Sequence, residues 1–148
     1  MNKLNIGCGS NWSEVYPDYK GLDIIDYGQD FVGDIFEKFN DKYNGVNQTE
    51  WDEVMANHFL EHFNQDDVKI IMAGVNRILK KGGLFKIVVP HMKKDKSWVL
   101  THKTFWNEET IKWLEQEDAF SVYGLGRWKI LELVTNEKGN IHALLQKI

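Results

Sequence analysis

The chain has 148 residues, 43% of them hydrophobic and 27% charged, a composition that suits one domain (1–148) with a full-sized core. Its formal net charge of −4 lacks the basic excess that nucleic acid or anionic lipid requires, so neither partner is expected. Cys8 is the single cysteine, which excludes an internal disulfide and a cysteine zinc cluster; with no apolar N-terminal stretch of signal-peptide or membrane length, a cytoplasmic protein is expected.

In chain order, the apolar run Leu4 to Ile6 predicts a buried strand over about 3–7. Gly7 and Gly9, one residue apart, then make a tight turn that lets a ligand approach bare backbone. The link from Ser10 to Asp18 is too short for the full crossover helix and ends in a Pro turn, so one helical turn near Trp12–Val15 is the most it can hold. That counts against a pyrophosphate cofactor, which leans on a helix N-terminus. A second strand over Lys20–Ile24 places Asp23 near a strand end. A glycine turn after one strand and an acid after the next are the two halves of a nucleoside-binding crevice.

Asp30 to Ile35 reads as a short third strand leading into a loop, and Asn40 to Glu50 as polar and irregular. Trp51 to Ala56 reads as a fourth strand, ending at Asn57-His58. Val68, Ile71, Met72, Val75, Ile78 and Leu79 recur at three- and four-residue steps and predict an amphipathic helix. Asn64 is its expected N-cap, and Lys80, Lys81 and Gly82 its expected close. A fifth strand over Leu84–Val89 is stopped by Pro90, with His91 at its exit. A loop with Trp98 and His102 follows, then a helix over Glu108–Glu117 capped by Asn107. Strands over Trp128–Val134 and Ile141–Ile148 are joined by a loop short enough for an antiparallel hairpin.

Asn5-Ile6-Gly7-Cys8-Gly9, Gly21-Leu22-Asp23-Ile24, Val32-Gly33-Asp34, the run Asp52 to His62 and Arg77-Ile78-Leu79-Lys80-Lys81-Gly82-Gly83 stand in one order. Together they resemble class I S-adenosylmethionine-dependent methyltransferases over roughly Lys3 to His91. The resemblance implies an α/β fold, a Rossmann-like three-layer sandwich whose seven-stranded, mostly parallel sheet has its last strand antiparallel. It implies an S-adenosyl-L-methionine cofactor at the carboxyl ends of the first, second and fourth strands, and methyl transfer to a small-molecule oxygen or nitrogen nucleophile. Position by position, Asn5, Gly7, Cys8 and Gly9 supply the turn, with the two glycines under the methionine part. Asp23, with Ile24 after it, accepts from the ribose diol; Asp34 and Ile35 sit at the adenine; Asn57 and His58 lie beside the sulfonium. The family often has an acid where Asn5 stands and a third glycine where Asn11 stands. Only Met1 and Asn2 precede the first strand here, so the expected site is open, or covered by a second copy of the chain in a homo-oligomer.

Holding nucleophile and methyl in line is worth about 7–11 kcal/mol, so the chemistry asks little of side chains. Where a base is needed, His62 and His91 are the candidates, histidine having the near-neutral pKa the task requires. Cys8 reads as a small loop filler rather than a nucleophile. The acceptor side is expected over His91–Trp106 and the hairpin turn, whose lysine, histidine and tryptophan suit a small polar or anionic compound. His58-Phe59-Leu60-Glu61-His62 also has the His-x-x-Glu-His spacing of inverted zinc peptidases, which would need His58, Glu61 and His62 on one helix; no metal is expected. A methyltransferase-like module without catalysis is the other alternative, and a nicotinamide dehydrogenase the weaker fallback.

Overall fold

Because side chains alternate between the two faces of a strand, the register decides which residues meet on each face. A computed structural model describes every residue except 42, 44 and 49, so part of the stretch expected to be irregular between Asn40 and Glu50 lies outside the described residues. The strands are β1 (Lys3–Ile6), β2 (Lys20–Asp23), β3 (Phe31–Val32), β4 (Trp51–Asn57), β5 (Leu79–Pro90), β6 (Trp128–Thr135) and β7 (Asn140–Lys147). They form one sheet in the order β3-β2-β1-β4-β5-β7-β6. The first five strands pair in parallel, and β7 runs antiparallel to both β5 and β6. This is the Rossmann-like α/β architecture expected.

The rows across the sheet explain its two faces. Leu4, Val54, Phe85 and Leu145 stand in register, as do Ile6, Ala56, Ile87 and Ala143, and all eight are buried. They form the floor of the core. Above it lies α3 (Gln65–Ile78), whose buried Val68, Ile71, Met72, Val75 and Ile78 make the stripe read in the sequence. Asn64 caps α3 by accepting from the Asp67 N–H at 2.8 Å. Removing each such aliphatic side chain from water is worth about 1.5–3 kcal/mol, which is why this stripe dominates the packing.

Three local expectations are corrected. Ile35 does not extend the third strand; it opens α2 (Ile35–Asn40), because Asp34 accepts from the Phe36 N–H at 2.8 Å and Ile35 and Phe39 bury one helical step apart. Lys80, Lys81 and Gly82 do not close α3. Leu79 is already extended and buried, pairs with Trp51, and starts β5; the register then shifts and resumes at Glu53–Leu84. The helix expected over Glu108–Glu117 is two pieces, α4 (Glu108–Trp113) and α5 (Glu117–Ser121). Among the described residues no helix is long and apolar enough to cross a membrane.

The opposite face of the sheet carries little helix. The link after β1 folds only α1 (Trp12–Val15), as its length dictated. The row Asn5, Met55, Lys86, Leu144 lies on this face, with Lys3 and Glu53 paired one step along. Buried Glu53 is held by Lys86 at 2.6 Å and Lys3 at 3.5 Å. Burial pushes the Glu53 carboxyl up, but hydrogen bonds from Lys86 and Tyr19 and the lysine charges outweigh it and hold the carboxyl below its ordinary range. Burial, then Glu53, pushes the Tyr19 hydroxyl up to about 12. A carboxyl whose folded pKa is lowered stabilises fully above its unfolded pKa and loses that contribution as pH falls through the folded value. Lys86→Met should therefore cost about 1–3 kcal/mol in urea unfolding at pH 7 by leaving the Glu53 charge short of a partner. The gap from the parent should narrow once acid protonates Glu53; a gap that does not change with pH would show that packing alone is responsible.

Candidate active site

Parallel order 3-2-1-4-5 brings the carboxyl ends of β1 to β5 to one edge, and the connection reverses direction between β1 and β4. A crevice forms at such a switch point. There Gly7 and Gly9 take φ of +67° and +72°, values that side chains other than glycine's rarely accept. The turn folds over β2: the Gly7 and Cys8 N–H groups donate to the Leu22 carbonyl at 2.8 and 3.1 Å. The Asp23 carboxylate accepts from the Gly9 N–H at 3.0 Å and the Ile25 N–H at 3.1 Å. A carboxylate has about four acceptor sites, so two remain for a ligand hydroxyl.

Asp23 at the end of β2 with Ile24 after it, and Gly33, Asp34 and Ile35 after β3, line one cavity of about 110 Å³. Leu22 floors it, and Phe59 and Phe63 wall it, their rings 4.8 Å apart. The structure thus gathers four of the expected cofactor residues. Asn5 lies deeper, buried within β1, its side-chain oxygen lacking a hydrogen-bond partner among the described residues. Asn57 ends β4 and donates to the Tyr16 hydroxyl at 3.1 Å. The expected space over Gly7 is taken by Phe59, whose ring would stand 2.1 Å from a Cβ built there.

His58 follows with φ of +52°, among the described residues the one positive value outside glycine. Its N–H donates to the Val88 carbonyl at 2.8 Å, and its Nδ1 lies 3.3 Å from Glu61 Oε2. The turn Leu60–His62 is 3-10, not α-helical. His58 and His62 are therefore not presented as an i, i+4 helical pair, and the peptidase arrangement is not formed. His62 instead meets His102, ring centroids 4.8 Å apart. One carboxylate oxygen of Glu61 and one ring nitrogen each of His62 and His102 lie within 4.8 Å of one another.

Of the two expected bases, His91 has both nitrogens engaged. Nδ1 accepts from the Lys93 N–H at 3.1 Å, so Nε2 carries the proton and donates to Glu108 Oε2 at 3.0 Å. A hydrogen bond from Thr135, then one from the Glu108 backbone, hold the Glu108 carboxyl down at about 2. His91 is thus a buried brace whose one lone pair is engaged by the Lys93 N–H. Among the described residues His62 uses Nδ1 alone, toward the Thr101 carbonyl at 3.3 Å. The loop after β5 and the hairpin turn do meet, through the His91 N–H to the Gly139 carbonyl and Lys96 to the Asn140 side chain. Trp98 and Phe105 stack beside them at 4.1 Å.

No protein-family model matches the sequence, and no curated protein does. Solved structures do match in shape. An S-adenosylmethionine-dependent methyltransferase from Archaeoglobus fulgidus superposes with a TM-score of 0.70 at 16% identity, over 99% of this chain and 86% of its own. The 1,6-didemethyltoxoflavin-N1-methyltransferase of Burkholderia thailandensis, solved with 1,6-didemethyltoxoflavin and S-adenosylhomocysteine, gives 0.62 at 14% identity, over 98% and 70%. The fold is that of the class I S-adenosylmethionine-dependent methyltransferases. A putative zinc-dependent alcohol dehydrogenase from Rhodobacter sphaeroides also superposes, with a TM-score of 0.69 at 8% identity over 99% and 84%. Shape at these identities establishes architecture and leaves activity to the site.

The site fits an adenosyl group in one half. The cavity pairs a half-exposed carboxylate with apolar walls, as ribose and adenine require, but at about 110 Å³ it is well below the roughly 300 Å³ at which small-molecule sites begin. The methionine half meets Phe59. The sequence reading missed Tyr16, Phe59, Phe63 and His102; only the four-residue step from Phe59 to Phe63 hinted at paired rings. Cys8 is buried, and burial first, then the Asp23 charge, push its thiol up to about 11. It fills the turn as a neutral group. A thiol reagent should therefore label the folded protein slowly at pH 8 and quickly only after urea unfolding; fast labelling of the folded protein would mean an accessible thiolate.

Proposed function

We propose that the protein binds S-adenosyl-L-methionine at the carboxyl edge of its sheet and transfers the methyl group to an oxygen or nitrogen of a small polar or anionic acceptor. The observation carrying this reading is the gathering of Asp23, Ile24, Asp34 and Ile35 around one cavity beside the glycine turn. Asp23 would hold the ribose hydroxyls through its spare acceptor sites, and Ile24 and Ile35 would flank the adenine. Gly7 and Gly9 would give the rest of the ligand bare backbone once the Phe59 ring turns aside. Asn57 and His58 close the same edge at the tip of β4. When bound, the cofactor supplies a methyl group activated by its positively charged sulfur. The chain contributes alignment, the effect expected to carry most of the rate. The loop 91–106, braced by His91, and the hairpin turn would form the acceptor side, with Lys93, Lys94 and Lys96 suiting a negative charge.

A second reading follows from the position of Phe59. A non-catalytic module that accepts only the nucleoside would not need the Phe59 ring to turn aside. Calorimetry with S-adenosylhomocysteine and with adenosine separates the two. On the methyltransferase reading, S-adenosylhomocysteine binds more tightly than adenosine. Asp23→Ala weakens both by about tenfold or more, since a hydrogen bond to a charged group is worth about 1.5–3 kcal/mol. Phe59→Ala strengthens only S-adenosylhomocysteine. Equal affinity for the two ligands, with no transfer of labelled methyl to any small acceptor, would favour the module. No binding by the parent or by Phe59→Ala would end both.

A further inference from the structure

Glu61 is a buried acid whose environment the adenosyl cavity does not explain. It is 1% exposed, and among the described residues no lysine or arginine pairs with it. Oε2 faces His58 Nδ1 at 3.3 Å, while Oε1 is buried with no hydrogen-bond partner among the described residues. A buried carboxylate with an unsatisfied oxygen is destabilising, so the fold tolerates it only where something offsets the charge.

Two histidines stand where that offset would come from. His62 directs Nδ1 to the Thr101 carbonyl at 3.3 Å, and His102 directs Nδ1 to the Ser97 carbonyl at 3.0 Å. Each bond requires the proton on Nδ1 and leaves a lone pair on Nε2. A backbone carbonyl fixing the far nitrogen is the usual outer support of a metal-binding imidazole. The backbone also fixes the group from both sides. The Glu61 carbonyl accepts from the Lys103 N–H at 2.7 Å and the Thr104 N–H at 3.2 Å, which ties the loop bearing His102 to the turn bearing Glu61 and His62. Thr104 Oγ1 adds a bond to the Leu60 carbonyl at 3.3 Å.

We propose that Glu61, His62 and His102 bind one divalent transition-metal ion, of which zinc is the expected member, with a fourth position open. One carboxylate oxygen and two imidazole nitrogens suit zinc, cobalt or nickel better than calcium or magnesium, which prefer oxygen alone. One carboxylate oxygen of Glu61 and one ring nitrogen each of His62 and His102 lie within 4.8 Å of one another. Bonds of about 2.0–2.2 Å bring tetrahedral donors to about 3.4 Å apart, a closure of up to about 1.4 Å that side-chain rotation would have to supply. His58 acts as a positioning residue, donating to the second oxygen of Glu61. The site lies just past the tip of β4. On the methyl-transfer reading, and only on that reading, the open position would take an acceptor oxygen and ease loss of its proton, the work otherwise asked of a base.

The test uses tag-free full-length protein, stripped with chelator and titrated with cobalt(II), then with zinc(II) in competition. The parent should take up one equivalent, with the intense visible bands of four-coordinate cobalt that zinc then erases. His102→Ala, a half-buried loop change, should weaken binding by at least tenfold and abolish the bands, as should Glu61→Gln. His58→Ala should weaken binding about tenfold, the effect of losing outer support. His142→Ala, on β7, should change nothing. Circular dichroism checks folding, and His102→Gln replaces any variant that melts. A parent without stoichiometric uptake, or a folded His102 variant that binds as tightly as the parent, overturns the proposal. Failure of S-adenosylhomocysteine to bind would leave the metal readout intact, so the two proposals fail separately.

Discussion

The pairing of β1 between β2 and β4 is the constraint on which the candidate site depends. Ile6 stands beside Leu22 on one side and Ala56 on the other, so the chain leaving β1 must emerge between Asp23 and Asn57. The same register sends Leu4 and Ile6 into the core under α3. A one-residue slip of β1 would turn Asn5 and Lys3 onto α3 and move the glycine turn off the β2 carbonyl it is hydrogen-bonded to. Burial of the core row and placement of the glycine turn are therefore one event, and the apolar stripe of α3 stabilises the site without touching it.

The short link between β1 and β2 sets the character of the other face. A full crossover helix would have covered Asn5, Glu53, Met55 and Lys86 with apolar side chains. One turn of helix does not, and the sheet meets this with a polar lattice in which Lys3, Lys86 and Tyr19 surround a carboxylate rather than with a second hydrophobic layer. The same link brings Tyr16 to Asn57. A loop too short to build a helix thus both leaves a polar sheet face and braces the tip of β4.

What was legible in the sequence is what one element determines by itself. The apolar run of β1, the strand of β4, the stripe and cap of α3, the single turn of α1 and the hairpin of β6 and β7 all follow from local pattern. The misses arise where two local signals compete or where distant segments meet. At Asp34 a strand pattern hid a capping residue, and Ile35 followed the cap. At Leu79 the helical stripe ran into a residue the sheet needed more. Lys80, Lys81 and Gly82 looked like a helix end for the same reason, a cationic run before glycine, and the sheet overrode it. His102 is forty residues from His62, and nothing in either neighbourhood announces the other. Phe59 was hidden differently: nothing beside it in the chain marks its neighbour, and only the backbone path puts this ring on Gly7.

His58 shows why the short run from Asn57 to His62 resisted a reading from spacing alone. Histidine at positive φ is uncommon, and such backbone costs about 1–3 kcal/mol unless its surroundings hold it. Here the hydrogen bond to Val88 and the contact with Glu61 hold it. The chain leaves β4, reverses its twist at His58, and tightens into a 3-10 turn that drives Leu60 and Glu61 inward while His62 points toward the next loop. A continuous helix through the same letters would have put His58 and His62 on one face. The strained residue therefore decides the partners: it parts two histidines that the spacing joins and gives His62 to His102. It also leaves a buried carboxylate between the strand tip and that pair, so the backbone at one position sets which chemistry the neighbouring side chains can support.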